Sequence, residues 1–258
     1  MSRTSPTAFL ALWNSISNAG LQPEYEAWHT FEHVPERVGL PGFVEAKRYR
    51  SLTDPAKPPD YFTCYWLKTI DALNSPQYRE VFAHPTPWSA RMRTDLRDFL
   101  RLPCTLGGGY GQSTASRLAT LHLRGQTQAF TALVSRELAQ RVEAGALVCA
   151  QWGRAVQTQA IPIDNRADVP AIRDNEGEGE FVVMLQGLDS NLLREQALQL
   201  LHVLQSAATA ALPPALFELL SQVRQDELSS AAFSLQDASR RQPARPDLFQ
   251  QFQTGDTP

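Results

Sequence analysis

The chain has 258 residues, 43% of them hydrophobic and 20% charged, which excludes a disordered polypeptide and fits one large domain or two small ones. Its 24 basic and 27 acidic residues leave a net charge of −3, so nothing draws it electrostatically to nucleic acid or to an anionic membrane. Its three cysteines, Cys64, Cys104 and Cys149, fit neither a disulfide framework nor a C-x-x-C site, no apolar run nears the ~18 residues of a membrane span, and the start lacks a signal-peptide core, so a cytoplasmic protein with free thiols is expected.

Ala8 to Ser17 reads as a strand. Pro23 to Val34 reads as a helix, with Pro23 at a first helical position and apolar residues recurring at Ala27, Trp28, Phe31 and Val34. Phe43 to Leu52 and Asp60 to Thr69, rich in aromatic and β-branched residues, flank the Pro-rich stretch Asp54 to Pro59 and predict a hairpin. Ser75 caps a helix to about Phe82, the H-P-T-P segment at His84 to Pro87 interrupts it, and Trp88 to Leu100 is predicted to resume helically before a short strand at Leu102 to Leu106. The order β-α-β-β-α-β is the ferredoxin-like motif.

After the Gly-rich Leu106 to Thr114, expected as a flexible link, the same order recurs. Strands are predicted at Arg117 to Arg124, Ala146 to Thr158, Glu180 to Leu188 and Ala215 to Val223, helices at Ala129 to Glu143 and Leu192 to Ala211, and a polar loop at Ile163 to Gly179. The expected division is a first repeat at 1–106, a linker at 107–116, a second, degenerate repeat at 117–225 and a polar extension at 226–258 that wraps the surface or frays. In the third strand Tyr61, Thr63, Tyr65 and Leu67 alternate with Phe62, Cys64 and Trp66, so both faces are apolar or aromatic and the sheet needs a partner on each side. The predicted fold is α+β: two ferredoxin-like repeats packed sheet to sheet as a pseudo-dimeric barrel with helices outside.

The runs EYEAWHTFEHVPERVGLPGFVEAKRYRSL (24–52) and NSPQYREVFAHPTPWSARM (74–92) resemble small bacterial proteins of the dimeric α+β-barrel superfamily, above all its EthD-like and related branches. The resemblance rests on an E-H-x-P-E-R core at Glu32 to Arg37 followed by a P-G-F turn. It covers about the first hundred residues; the second half is similar only in element order. It implies the barrel fold, and it implies a role among cofactor-free monooxygenases, muconolactone-type isomerases, polyketide cyclases, haem enzymes or proteins without known activity.

Side chains suited to chemistry concentrate in the first repeat. Tyr25, His29, Glu32, His33 and Glu36 share one helix face, with Trp28 and Phe31 on the packing side, and Glu32 stands where it could orient an imidazole or hold it protonated for acid–base work; the plain alternative is a solvated face. The resemblance assigns the reactive histidine to His29 or His33 without choosing between them. His29 to His33 also spells H-x-x-E-H, an inverted zinc-protease motif, but Pro35 limits the helix and no downstream third ligand is evident, so no metal site is expected. His84, beside Trp88, is either a pocket mouth or a helix corner. Arg93, Arg97 and Arg101, interleaved with Asp95 and Asp98, suggest an ion-paired outer helix face over a carboxylate-binding patch. Tyr65 and Trp66 are core residues that could line a pocket, and His202 is a candidate haem ligand on a second-half helix.

These residues predict cofactor-independent proton transfer on a cyclic or aromatic carbonyl compound. His29 or His33, oriented by Glu32, would act as catalyst, and Tyr25, Tyr65, Trp66, His84 and Trp88 would contact the substrate. The alternatives are a non-catalytic binding or assembly protein and a haem-binding barrel. A small-molecule ligand is the expected partner, with neither nucleic acid nor membrane, no bound cofactor, and a homodimer as the assembly to test.

Overall fold

The computed structural model describes residues 5–52, 60–158, 177–228 and 242–253. The Pro-rich stretch between the second and third strands and most of the polar loop at 163–179 lie outside them. The strands are β1 (Ala8–Ile16), β2 (Phe43–Ser51), β3 (Tyr61–Leu67), β4 (Leu96–Tyr110), β5 (Arg117–Gln126), β6 (Cys149–Ala155), β7 (Glu178–Gly187), β8 (Ala208–Ala211) and β9 (Ala215–Arg224). Hydrogen bonding runs β7-β6-β4-β1-β3-β2-β9-β5 and returns from β5 to β7, closing an eight-stranded antiparallel barrel, with β8 as a short ninth strand on β5. Closure leaves no unpaired edge around the ring. The first four strands stand in the order β4-β1-β3-β2 and the barrel strands of the second half in the equivalent order β9-β5-β7-β6, each group joined to the other through β2–β9 and β4–β6.

The alternation in β3 sorts the core as its sequence requires. Phe62, Cys64 and Trp66 point into the barrel with Phe9, Ala11, Tyr49, Val182, Met184 and Phe217, residues from both halves. Tyr61, Thr63, Tyr65 and Leu67 point outward, beneath helices α1 (Gln22–Trp28), α2 (Val34–Val38), α3 (Pro76–Ala83) and α4 (Pro87–Arg93). Helices α5 (Thr127–Glu143) and α6 (Ser190–Leu204) cover the outer face of the second half through Phe130, Val134, Leu138, Ala197 and Leu200. No helix among the described residues is long and apolar enough to cross a membrane.

Several local expectations change. The first helix does not stop before Pro35: a π-turn over His29–His33 joins α1 to α2, with Val34 N–H bonded to His29 O, and Pro35 falls in the first turn of α2, where its missing N–H is tolerated. Phe31, expected to pack, is 53% exposed. The helix from Trp88 ends at Arg93, and Leu96 to Leu100 already belong to β4, which bulges opposite Trp13 and Ser15 and holds Asp98 at φ 49°. The Gly-rich segment expected as a flexible link forms the end of the same strand through Tyr110, paired with β6. Its glycines serve packing, because a Cβ at Gly107 would stand 2.3 Å from the Trp152 ring. Helix α6 ends at Leu204 instead of Ala211, since β9 pairs with β5 only to Thr120 and Ala208–Ala211 complete the strand beyond it.

The C-terminal extension includes α7 (Pro246–Gln253), which lies against α1 and α4: Phe249 stacks on Trp88 at 5.6 Å between ring centroids, and Phe252 lies tilted against it at 5.9 Å.

Candidate functional site

A cavity of about 40 Å³ lies between the outer face of β1, β3 and β4 and the helices above it. That is several times the roughly 10–15 Å³ that admits one water. Strand register builds its floor: Thr63 pairs with Leu12, and Leu12 with Arg101, so these side chains stand in one row across three strands. Arg48 continues the row on the other side of Thr63. Tyr65 and Leu10 form the neighbouring row.

The roof comes from one line of the first helix, Tyr25, His29, His33 and Arg37, each four residues after the last. In a regular α-helix, steps of four drift by about 40° each, and the wider π-turn at His29–His33 reduces that drift, keeping the line over the cavity. The rings form a ladder: Tyr25 stacks on His29 at 5.2 Å and 18°, and His29 on His33 at 5.1 Å and 15°. Trp28, Phe43, Tyr78, Phe82 and Phe99 supply the apolar walls.

The solvated-face alternative does not describe this helix, since His29 is only 6% exposed and the Nδ1 atoms of both histidines are buried. Burial, reinforced by the Arg48 and Arg37 guanidiniums, holds His29 well below the ordinary imidazole range. His33 is lowered likewise by burial, then by Arg37, His29, Arg93 and Arg48. Both rings are neutral at pH 7, which corrects the expectation of an imidazole held protonated by Glu32. Burial pushes the Tyr65 phenol up, so it remains a hydrogen-bond donor.

The polar atoms around this cavity are unusual in having nothing to bind. His29 Nδ1, His33 Nδ1, Thr63 Oγ1, Tyr65 Oη and Arg37 Nη2 are all buried without a hydrogen-bond partner, and all five residues line the cavity. Such groups are normally satisfied in folded proteins, and each one left unmet costs about 1–3 kcal/mol. Tyr25, by contrast, donates its hydroxyl to Asn14 Oδ1 at 3.1 Å, so it stacks on the ladder without offering a free donor.

The other expected site residues lie elsewhere. Glu32 is 2% exposed but faces away from the cavity: Oε1 accepts the Thr86 hydroxyl at 2.5 Å and Oε2 the Arg245 backbone N–H at 2.7 Å. It ties the π-turn to the cap of α4 and to the start of α7. Trp66 points into the barrel against Phe9, 5.4 Å between centroids. His84 is a helix corner, its exposed ring 2.9 Å from Glu80. Trp88 packs under α7 and donates to Glu24 at 3.2 Å. The arginines expected on one outer helix face divide instead: Arg93 and Arg101 line the cavity, and Arg97 binds the carbonyls of Thr94 and Leu96. Arg37 and Thr63 were not anticipated at the cavity, and Arg93 and Arg101 only as the lesser alternative of a carboxylate-binding patch; the four-residue step from His33 to Arg37 was the available signal for the first.

The zinc reading of His29 and His33 fails on geometry, because lone pairs lie in the ring planes and two nearly parallel stacked planes do not converge on one ion. Among the described residues no three His, Cys, Asp or Glu side chains cluster as a metal site. His202 lies on the exposed side of α6, away from its buried stripe, and does not fit an enclosed haem.

No protein-family model and no curated protein matches the chain. Solved structures do match its shape. An anthrone oxidase-like protein superposes with a TM-score of 0.60 at 8% identity, covering 89% of this chain and 98% of its own. A candidate monooxygenase from Fusobacterium nucleatum gives 0.54 at 8% identity over 85% and 95%, and one from Lactobacillus acidophilus gives 0.52 at 8% identity over 85% and 97%. At such identity the likeness shows the α+β-barrel fold alone.

Proposed function

We propose that the chain is a small-molecule enzyme that moves a proton on a cyclic or aromatic carbonyl compound bound beneath the first helix. The observation that carries this reading is the convergence of five unpartnered buried polar atoms on one cavity. Their chemistry is complementary to an enolising ketone. The stacked, neutral His29–His33 pair supplies the base, while Tyr65, Thr63 and Arg37 donate to the oxygen on which negative charge develops. The depressed basicity of the histidines is partly set by Arg48 and Arg37, and the same positive field stabilises the enolate.

Isomerisation, cyclisation, lyase chemistry and cofactor-free oxygenation all begin with this deprotonation, and the neighbours described as anthrone oxidase-like and as candidate monooxygenases are consistent with the last. An EthD-like affiliation is supported by His33 and Arg37, two residues of the motif at Glu32 to Arg37, lining the cavity roof. The division into a first repeat that carries the site and a second that closes the barrel is supported by the cavity lining, which ends at Arg101.

The test is proton exchange in D2O, followed by NMR, on a panel of one-ring ketones and enones. Wild type is expected to accelerate loss of the protons α to the carbonyl, and His29→Gln/His33→Gln to lower that rate by about 100-fold or more. Exchange no faster than in buffer, or unchanged in the double variant, overturns the proposal.

A further inference from the structure

We infer that the ligand carries a permanent negative charge: the cavity is built for a small carboxylate, with the Arg37 guanidinium as its principal partner. The inference rests on the cavity being the ligand site and goes on to name what it selects.

Arg37 is 3% exposed and lines the cavity; its Nη1 lies 2.5 Å from Glu36, and its Nη2 is buried with no hydrogen-bond partner. A buried guanidinium with an unmet N–H is penalised until an acceptor completes it, and a carboxylate is the acceptor that matches its planar fork. The protein does not provide that carboxylate inside the cavity, for among the described residues no Asp or Glu lines it. It provides two more arginines there. Arg93 donates to the carbonyls of Phe82 and Val81 at 3.2 and 3.3 Å, and Arg101 to Thr158 Oγ1 at 2.9 Å and Tyr78 Oη at 3.4 Å. These bonds hold both side chains at the cavity wall. The guanidiniums of Arg37 and Arg93 also stand over the Phe82 ring, at 4.8 and 5.3 Å, which fixes their planes beside an aromatic surface. Tyr65 Oη and Thr63 Oγ1, both unpartnered, offer further donors for the second carboxylate oxygen or for a carbonyl on the same ring.

The experiment compares three probes of one size, benzoate, benzamide and acetophenone, by calorimetric titration against wild type and against Glu36→Gln/Arg37→Gln. The double variant removes both charges of the buried pair together, so that Glu36 is not stranded, and thermal unfolding confirms its fold. Benzoate is expected to bind wild type at least about tenfold more tightly than benzamide, and the preference to shrink to within about twofold in the variant. Equal affinities in wild type, or a benzoate preference that survives in the folded variant, overturn the inference. If the neutral probes bind and benzoate gains nothing, the charge selection is wrong and the cavity remains the ligand site; if no probe binds, both readings fall.

Discussion

Glu32→Gln separates a structural carboxylate from a catalytic one. In the fold Glu32 accepts from Thr86 Oγ1, which itself accepts the Ser89 N–H and so caps α4, and from the Arg245 backbone N–H at the entry to α7. A glutamine of the same shape can still accept from Thr86, but its amide group then meets the Arg245 N–H donor to donor. One hydrogen bond to a charged acceptor is lost, worth about 1.5–3 kcal/mol, and relief of the buried charge offsets part of this, leaving a net loss of roughly 2 kcal/mol. For a chain of this size that lowers the melting temperature by about 4–8 °C. The assay is thermal unfolding, followed at a temperature well below the transition by titration of acetophenone. The expected result is a lower transition with affinity changed by no more than about twofold, because the carboxylate points away from the cavity. An unchanged transition accompanied by lost binding or lost proton exchange would refute the placement and return Glu32 to the role of orienting His29.

Two further substitutions and one titration probe the same geometry. Tyr65→Phe deletes a buried hydroxyl without a protein partner, so stability should stay within about 0.5 kcal/mol or rise, while affinity for a ketone probe falls about fivefold or more; denaturation with parallel titration reads both, and a large loss of stability would show that the hydroxyl is already bonded. His84→Ala should alter neither stability nor binding beyond error, since the ring is an exposed corner residue, and any loss of proton exchange would place it at the cavity mouth. Because the folded state lowers the affinity of His29 and His33 for protons, the unfolded chain takes up more protons below pH 6.5, and stability is full above that value and falls as the pH drops beneath it. The slope attributable to each histidine is up to about 1.4 kcal/mol per pH unit. Urea denaturation between pH 5 and 7.5 should show this slope in wild type and lose it in His29→Gln/His33→Gln; equal slopes would mean that the imidazoles titrate normally in the folded protein.

Much of the barrel was legible because it follows from period and punctuation. Alternation along Tyr61–Leu67 placed one set of side chains in the barrel and the other beneath the helices, and Ser75 and Thr86 capped α3 and α4 as their hydroxyls suggested. The misreadings share a cause: a local rule was overruled by something distant in sequence. Arginines at four-residue intervals looked helical, yet Arg97 and Arg101 lie on a strand because β1 is there to pair with them. Three consecutive glycines looked like a linker, yet they belong to a strand paired with β6, and two of them, Gly107 and Gly108, lie flat against Trp152, about 45 positions away. Pro35 signalled a helix end, yet one wide turn carries the helix past it.

That last misreading bears directly on the site. A face drawn with regular helical period around Tyr25 takes in His29 and His33 with Glu32 and Glu36 and leaves Arg37 at its edge, one four-residue step beyond His33. With the π-turn in place, the steps of four hold together, and the line that reaches the cavity is Tyr25, His29, His33 and Arg37. The partners exchanged between these two lines are carboxylates for a guanidinium, which reverses the sign of the local field. Beside carboxylates the histidines would be protonated and suited to donate; beneath arginines they are neutral and suited to accept, with positive charge already placed where an enolate or a carboxylate would come to rest. One extra residue in one helical turn therefore brings Arg37 rather than Glu32 and Glu36 to the cavity, and a periodicity that assumes a regular turn gives the two lines the wrong order of weight.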